Sequence, residues 1–297
     1  MTLTIATSLE EVLSGLAQGA RPIAGGTDLV VGARQGKGAM PETLIAIDRL
    51  PELASIEVGS THTAIGAGVT HAQLMTNSTI LDNFTAIADA AALVGSPATR
   101  NVGTLGGNVM NGSPAMDTGA PLVVLDAVAE LASTTGTRTV ELADLWTGPG
   151  TTSARPDELC TALTLPNTDD RTASAYVRLE YRRAMEIAIV GAAAYVELGD
   201  DDVINTVRVA LTAVAPVIVA VEGLDEVQGQ PLESVAEAVA STASEQASPI
   251  SDLRASDRYR RHTIGVMASR AVDAAARRAG GESIAVPVNR ALGIGEA

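Results

Sequence analysis

Two glycine-rich segments about eighty residues apart constrain this chain more than any other feature of its sequence. The first spans Ala24 to Leu29, the second spans Thr104 to Asn108, and each follows a strand-like run. Glycine reaches positive φ and carries no side chain, so consecutive amides there can close around phosphate oxygens. Neither segment has the sequence of a P-loop or of a Rossmann turn. Each segment alone is therefore either part of a dinucleotide site or a tight turn between a strand and a helix.

The composition disfavours several classes of protein. A formal net charge of −15 opposes a nucleic-acid partner, because Lys and Arg supply most of the affinity for phosphates. Cys160 is the sole cysteine, so the chain cannot supply an internal disulfide, a four-thiolate zinc site or an iron–sulfur cluster of its own. The three histidines lack metal-ligand spacing, and no catalytic residue is predicted. Without a basic signal segment or a long apolar run, we expect a cytoplasmic protein with no membrane span.

Hydrophobic patterning predicts a βαβ-like unit at the N-terminal end. Its expected elements are a helix from Leu9 to Leu16, a short buried strand at 21–24, a helix at 29–35 and a strand at 44–47. Thr27 or Asp28 is the expected N-cap of the second helix, which would follow the first glycine segment directly.

The pattern changes from residue 56 onward. We expect strands at 63–69 and 159–165, helices from 71 and over 86–94, and further buried elements at 121–125 and 128–131. The stretch from Ser96 to Gly103 is expected to end the preceding helix, because Pro97 disfavours its continuation, and to lead into a second glycine loop. Pro166 to Asp170 is typical of a domain boundary. Beyond it, strands at 176–179, 191–198 and 207–215 and helices at 231–242 and 257–278 predict an α+β domain.

Five separated motifs, taken together, resemble the FAD-binding medium subunit of the molybdenum hydroxylases, a family that includes xanthine and carbon monoxide dehydrogenases. They lie at 21–29, 95–108, 113–117, 178–190 and 251–261, so the resemblance spans nearly the whole chain. It implies an α+β fold: an FAD-binding domain of the vanillyl-alcohol-oxidase (PCMH) type at 1–170, with subdomains at about 1–55 and 56–170. A C-terminal domain of the carbon monoxide dehydrogenase flavoprotein type would follow at 171–297, with the flavin between the two domains.

The resemblance also implies which residues bind the cofactor. The glycine segments would surround the pyrophosphate largely through backbone amides, and Asp117 would bind a cofactor hydroxyl. Val94 and Leu165 would pack on the cofactor, and Arg178 would lie near the polar edge of the flavin ring. The implied cofactor-binding residues are Ile23, Ala24, Gly25, Gly26, Thr27, Asp28, Leu29, Val94, Thr104, Leu105, Gly106, Gly107, Asn108, Asp117, Leu165 and Arg178.

Simpler structural interpretations stand beside these roles. Asp28 is at least equally well explained as a helix N-cap. Asp117 follows Ser113 and Pro114 in a turn-like context, where satisfying turn amides is the less favoured alternative to its cofactor role. Leu165 is equally a buried strand residue. Arg182 and Arg183 are more commonly a surface pair than a functional one.

The sequence departs from the family pattern near residue 185. Glu186 replaces the usual aspartate, and Met185 stands where xanthine dehydrogenase carries an acid close to the flavin. NAD therefore cannot be assumed as the electron acceptor. No covalent flavin anchor is evident, since His62 and His71 lie outside the matching segments, and noncovalent FAD is expected.

The resemblance implies an electron-transfer subunit of a heterotrimeric oxidoreductase. FAD would receive electrons from iron–sulfur clusters on a small partner subunit, which draws them from a molybdenum cofactor on a large partner subunit, and would pass them to an external acceptor. Two alternatives remain at this point. The chain is a stand-alone FAD-dependent oxidoreductase of the same fold that acts on a small molecule, or it is a non-enzymatic scaffold whose glycine segments are only turns.

Overall fold

The N-terminal unit of this computed structural model, which describes residues 1–182 and 185–294, is a three-stranded parallel sheet flanked by two helices. Its strands are arranged in the order β1-β3-β2. The elements are β1 (Thr2–Ile5), α1 (Leu9–Ala17), β2 (Arg21–Ile23), α2 (Leu29–Arg34) and β3 (Thr43–Ala46). The parallel pairing of β2 with β3 across α2 confirms the predicted βαβ-like unit. The prediction that β2 is buried is wrong, because β2 lies at the sheet edge with its side chains partly exposed.

The second unit is an antiparallel sheet of five strands, in the order β4-β5-β10-β6-β7, covered by short helices. Its elements are β4 (Ile56–Val58), β5 (His62–Gly66), α3 (His71–Leu74), α4 (Ser78–Asn83), α5 (Thr85–Leu93), α6 (Pro97–Val102), α7 (Leu105–Asn111), α8 (Gly119–Val124), β6 (Val128–Ser133), β7 (Gly136–Glu141), α9 (Leu142–Leu145), β8 (Trp146–Gly148), β9 (Thr151–Thr152) and β10 (Leu159–Pro166). Every residue of α5 after Thr85 is buried, because its small alanines allow close packing on all sides.

Two helices occupy the stretch that leads into and through the second glycine segment. Helix α5 ends at Leu93, and the chain becomes helical again at Pro97, where proline at the first helical position needs no amide partner. Ser96 caps α6 by accepting a hydrogen bond from the Thr99 amide at 3.2 Å. Helix α7 then begins inside the second glycine segment, with Thr104 as its N-cap. The predicted second glycine loop is therefore the first turn of a helix.

The third unit is a four-stranded antiparallel sheet with helices on one face. Its elements are β11 (Thr172–Leu179), β12 (Val190–Leu198), β13 (Ile204–Thr212), β14 (Val219–Ala220), α10 (Leu232–Gln246), α11 (Asp257–Ala279) and α12 (Val288–Ala291). Successive side chains of a strand point to opposite faces. Ala192 and Ala194 of β12 accordingly pack into the cluster formed with α10 and α11, whereas Ala193 and Tyr195 join the core of the second unit. The third sheet thus lies between its own helices and the second unit.

The chain leaves the second sheet at Pro166 and enters the third at Thr172. Residues 295–297 of the predicted C-terminal domain lie outside the described ranges. Among the helices of the described ranges, none is long and apolar enough to cross a membrane.

Candidate functional site

A cavity of about 720 Å³ lies between the first and second units, within the usual size range of ligand and cofactor sites. Its walls come from the turn after β2, the start of α7, the end of α5, and the chain between β9 and β10. Of the residues predicted from the sequence to bind the cofactor, those that line the cavity are Ile23, Ala24, Gly25, Gly26, Thr27, Asp28, Leu29, Val94, Thr104, Gly106, Gly107 and Asn108. The fold therefore brings the two glycine segments to one site.

The two segments meet through Gly25. A Cβ atom on Gly25 would overlap the backbone carbonyl of Val102, so only glycine allows the first segment to lie this close to the end of α6. Gly103 completes the contact, because a Cβ atom there would lie 3.5 Å from the Thr27 hydroxyl. This junction fixes the distance between the segments and thus the width of the cavity.

The first glycine segment presents free backbone amides. Gly26 has a φ of +67°, a conformation that favours glycine. Within the described residues, none of the amides of residues 25–29 donates a hydrogen bond. Consecutive unpaired amides that curve through a left-handed residue form a concave anion-binding surface, which is the chemistry that a pyrophosphate requires.

Asp28 occupies the N-cap position of α2 but makes no capping hydrogen bond with its side chain. Its Oδ1 instead accepts a hydrogen bond from Asn111 Nδ2 at 3.2 Å, which links the first segment to the end of α7. Burial raises the pKa of Asp28, and the positive charge of Lys37 opposes that rise. The side chain therefore ties two cavity walls together, and direct contact with a cofactor stays a prediction.

The second glycine segment uses its amides within the protein. The amides of Leu105 and Gly106 donate to the carbonyls of Val69 and Ala67, both at 2.9 Å, and those of Gly107 and Asn108 donate to the Thr104 hydroxyl (3.1 Å) and carbonyl (3.0 Å). The expectation that these amides are available for phosphate is wrong, because the helix cap and pairing with residues 67–69 already occupy them. The second segment can still contribute to a ligand site, because its glycines allow a ligand to come close to the backbone.

Gly107 is the residue of this segment at which we expect a ligand to come closest to the backbone. A Cβ atom on Gly106 would overlap the side chain of Ala67, so Gly106 is needed for packing of α7 on the strand region. Beyond its chain neighbours and the backbone of its own helix, a Cβ atom on Gly107 would meet the Thr104 hydroxyl at 2.9 Å, so that hydroxyl would have to shift. Gly107 also lines the cavity, so a side chain there would extend into the space of a ligand.

Charged side chains of the β9–β10 connection line another part of the cavity. Glu158 accepts hydrogen bonds from Arg138 Nε at 2.6 Å and from the Arg155 amide at 2.7 Å. The hydrogen bond from Arg138 is the largest of the effects that hold the pKa of Glu158 below its usual value. Arg155 and Glu158 both line the cavity and were not predicted as site residues, because Glu158 pairs with Arg138 from 20 residues away and such a pair leaves no local pattern in the sequence.

Two further lining residues, His71 and Cys160, are almost completely buried. Burial raises the pKa of the Cys160 thiol to about 12, so the thiol stays protonated and unreactive at neutral pH. Burial, together with the nearby charge of Arg100, lowers the pKa of His71 to about 4. His71 Nδ1 has no hydrogen-bond partner among the described residues. The sequence had favoured a structural role for each of the three histidines and had named neither His71 nor Cys160 as a cofactor-binding residue.

The cavity lining does not include four of the predicted cofactor-binding residues, namely Leu105, Asp117, Leu165 and Arg178. Leu105 and Leu165 lie fully buried in the core of the second unit. Arg178 Nη1 donates to Asp117 Oδ2 at 2.8 Å, and Arg178 Nε donates to Glu180 Oε2 at 2.9 Å. These ion pairs offset the charge of Arg178. Contact of any of these residues with a cofactor stays a prediction.

The segment that departs from the family pattern lies beside the cavity wall. The Met185 amide donates to the carbonyl of Gly95 at 3.3 Å, next to Val94, and the Met185 side chain is 60% exposed. Arg182 is exposed and its Nε donates to Glu186 Oε2 at 2.8 Å, as expected for a surface residue. Arg183, its predicted surface partner, lies outside the described residues.

Comparisons with known proteins cover both halves of the chain. Residues 1–168 match the model of the FAD binding domain in molybdopterin dehydrogenase, and residues 174–275 match that of the CO dehydrogenase flavoprotein C-terminal domain. The chain is 31% identical over 285 residues to the xanthine dehydrogenase FAD-binding subunit of Escherichia coli O157:H7. The alignment covers 93% of this chain and 96% of the relative. It is also 31% identical over 270 residues to the carbon monoxide dehydrogenase medium chain of Afipia carboxidovorans, covering 90% and 93%.

A solved structure shows the same fold. A chain of the carbon monoxide dehydrogenase from Hydrogenophaga pseudoflava, in a form that lacks the Mo-pyranopterin moiety, superposes with a TM-score of 0.88 at 28% identity. The superposition covers 94% of this chain and 98% of that chain. The expected fold class, a PCMH-type FAD-binding domain followed by a carbon monoxide dehydrogenase flavoprotein C-terminal domain, is thereby confirmed.

Proposed function

The chain belongs to the FAD-binding medium subunits of the molybdenum hydroxylases, and on that premise we propose that the cavity between its two glycine segments holds FAD without a covalent bond. The chain is the flavoprotein component of a multi-subunit oxidoreductase, with FAD as its electron-transferring cofactor. The observation that carries the proposed site is the set of unpaired amides at residues 25–29 in a cavity that Gly107 also lines.

The residues of the cavity fit such a cofactor in charge and in shape. The free amides of the first segment donate to phosphate oxygens without the entropy loss of fixing a long cationic side chain. The bare Cα of Gly107 lets the second segment approach the ligand closely. When bound, the flavin supplies the capacity to accept electrons one at a time and to release them as a pair. The chain holds, orients and shields it.

The proposed partners are a small iron–sulfur subunit and a large subunit with the molybdenum cofactor. Relatives of this chain are named as medium chains or as FAD-binding subunits of dehydrogenases, and a similar chain occurs in the structure of the Cu,Mo-CO dehydrogenase. One cysteine cannot supply the thiolates of an iron–sulfur cluster, which supports placing the clusters on another subunit. An external electron acceptor and a cytoplasmic location are parts of the same proposal, tested by acceptor screening and by cell fractionation.

Replacement of Gly107 by alanine tests the FAD site. The methyl group would extend from α7 into the cavity and would displace the Thr104 hydroxyl, which lies 2.9 Å from the position of the new Cβ atom. Alanine favours the helix more than glycine does, which offsets part of that cost, so the chain is expected to fold. We expect FAD to bind at least about tenfold more weakly, which corresponds to about 1.4 kcal/mol. The measurement is fluorescence titration of the cofactor-free chain with FAD.

Gly280→Ala is the matched control, because a Cβ atom there has ordinary contacts of 3.4 Å or more and Gly280 lies outside the cavity lining. Unchanged FAD affinity in Gly107→Ala would exclude the proposed position of the cofactor. Purification of the native assembly provides an independent check: a flavoprotein that oxidises an organic substrate without partner subunits would support the stand-alone alternative.

A further inference from the structure

His71 is the one buried imidazole of the cavity wall within the described residues, and its Nδ1 atom has no partner there. The residue is 2% exposed, it lines the cavity, and Nδ1 has no hydrogen-bond partner in the described chain. Buried polar atoms in native proteins nearly always have a partner, and an unpaired one indicates a missing ligand or water molecule.

The position of His71 relates it to both glycine segments. Its amide donates to the carbonyl of Gly103 at 3.0 Å, which joins the start of α3 to the start of α7. A Cβ atom built on Gly103 would lie 3.4 Å from Cδ2 of the imidazole and 3.5 Å from the Thr27 hydroxyl. The ring therefore lies directly behind the junction where the two segments meet.

The ring is uncharged under physiological conditions. Burial, with a smaller contribution from the positive charge of Arg100, lowers the pKa of His71 to about 4. A neutral imidazole has one nitrogen that donates a hydrogen bond and one that accepts. Such a ring contributes no charge against a phosphate, but it matches a hydroxyl group, which also donates and accepts.

We propose that His71 is a cofactor-binding residue whose imidazole hydrogen-bonds a sugar hydroxyl of the bound dinucleotide, on the ribose or on the ribityl chain. The proposal rests on the proposed FAD site and adds a residue to it. In the structure, Cδ2 is the ring atom beside Gly103. Because the χ2 torsion of histidine is broad and roughly twofold, the ring can rotate by half a turn, which places Nδ1 where Cδ2 lies now. Either ring edge can thus present a nitrogen at the junction of the two segments.

The three histidines of the chain allow a direct test by nuclear magnetic resonance. In full-length protein labelled with ¹⁵N in the imidazole rings, FAD is titrated into the cofactor-free chain. We expect the ring nitrogens of His71 to shift with FAD saturation, because a new hydrogen bond changes their shielding. His62 and His262 are exposed and lie outside the cavity, so their signals are internal controls and are expected to stay in place.

Two substitutions test the same contact by affinity. His71→Leu removes both ring nitrogens and is expected to weaken FAD binding about tenfold or more, whereas His71→Asn keeps a polar nitrogen near Nδ1 and is expected to recover part of that loss. His62→Leu is the control and is expected to bind FAD like the unchanged chain.

The outcomes separate this proposal from the one it rests on. FAD binding with unmoved His71 signals, or with equal affinity in His71→Leu, would overturn the role of His71 and leave the FAD site standing. If His71→Leu fails to fold, the resonance titration of the unchanged chain decides the question. Failure of the unchanged chain to bind FAD would overturn the proposed function as well.

Discussion

At the scale of single residues, the cluster around Arg178 is the densest concentration of buried charge in the described chain. Arg178 is fully buried between the carboxylates of Asp117 and Glu180, and the Tyr176 hydroxyl donates to Asp117 Oδ1 at 2.8 Å. Asn289 holds the backbone of Arg178 from α12, with hydrogen bonds of 3.0 and 2.7 Å. The cluster joins the second unit to the third. The role near the flavin that the family resemblance implies for Arg178 therefore competes with a structural one.

Arg178→Met is expected to destabilise the protein by about 3 to 5 kcal/mol, because it leaves two buried carboxylates without their cation. The loss is measured as the free energy of unfolding in urea. A triple variant that adds Asp117→Asn and Glu180→Gln removes the orphaned charges and is expected to recover most of the stability. A loss below about 1 kcal/mol in Arg178→Met would show that the carboxylates are satisfied without the arginine.

At the scale of elements, α7 shows how tertiary pairing overrides intrinsic preference. Its first turn contains Gly106 and Gly107, and each glycine disfavours a helix by about 1 kcal/mol relative to alanine. The sequence therefore predicted a loop. The helix forms because the Thr104 side chain caps it and because the amides of its first turn pair with residues 67–69. This packing leaves Gly107 facing the cavity, so the position of the helix determines where a ligand can approach.

Thr104→Ala tests the capped helix. We expect it to lower the free energy of unfolding of the cofactor-free chain by about 1 kcal/mol, because the Gly107 amide loses its acceptor. Thr104→Ser retains the hydroxyl and is the matched control, expected to stay within about 0.5 kcal/mol of the unchanged chain. Equal stability of the alanine and serine variants would contradict the cap and favour a loop at this segment.

At the scale of the whole molecule, Asp89 ties the two halves of the chain together. This fully buried carboxylate of α5 accepts hydrogen bonds from Arg278 Nη1 at 2.6 Å and Nη2 at 3.0 Å. It also accepts the amides of Tyr176 at 3.2 Å and Val288 at 2.9 Å. Its four donors all come from the third unit. The third sheet also contributes side chains to the hydrophobic core of the second unit. The two halves are therefore joined by a shared hydrophobic core as well as by this buried ion pair.

We expect the two halves to unfold together. Trp146, the sole tryptophan, is buried in the second unit and reports on it by fluorescence, while amide hydrogen exchange in α11 reports on the third. Both probes are expected to give the same stability in urea. Asp89→Asn is expected to reduce both by about 3 kcal/mol, because Arg278 is then buried without its counter-charge. Separate transitions for the two probes would contradict this coupling.

Much of the fold follows from local patterns in the sequence. The strands predicted at 176–179, 191–198 and 207–215 and the helices predicted at 231–242 and 257–278 overlap the observed strands at 172–179, 190–198 and 204–212 and the observed helices at 232–246 and 257–279. They were predictable because their hydrophobic periodicity reflects one buried face or continuous burial. The glycine segments were predicted to lie together at a dinucleotide site, and their clustering around one cavity agrees with that prediction. Contact of the individual residues with FAD remains a prediction.

The sequence by itself determined the main strands and the long helices, where glycine permits close approach, and which family the separated motifs resemble. The tertiary structure alone decided which amides of the glycine segments stay free, that His71 lies behind their junction, and that Arg178 is paired within the core. The physical reason is the distance along the chain between partners: Asp117 and Arg178 are 61 residues apart, and Asp28 and Asn111 are 83 apart. A local hydrophobic pattern indicates which residues of its own segment are buried. Hydrogen bonds between distant residues form only once the segments that carry them pack together.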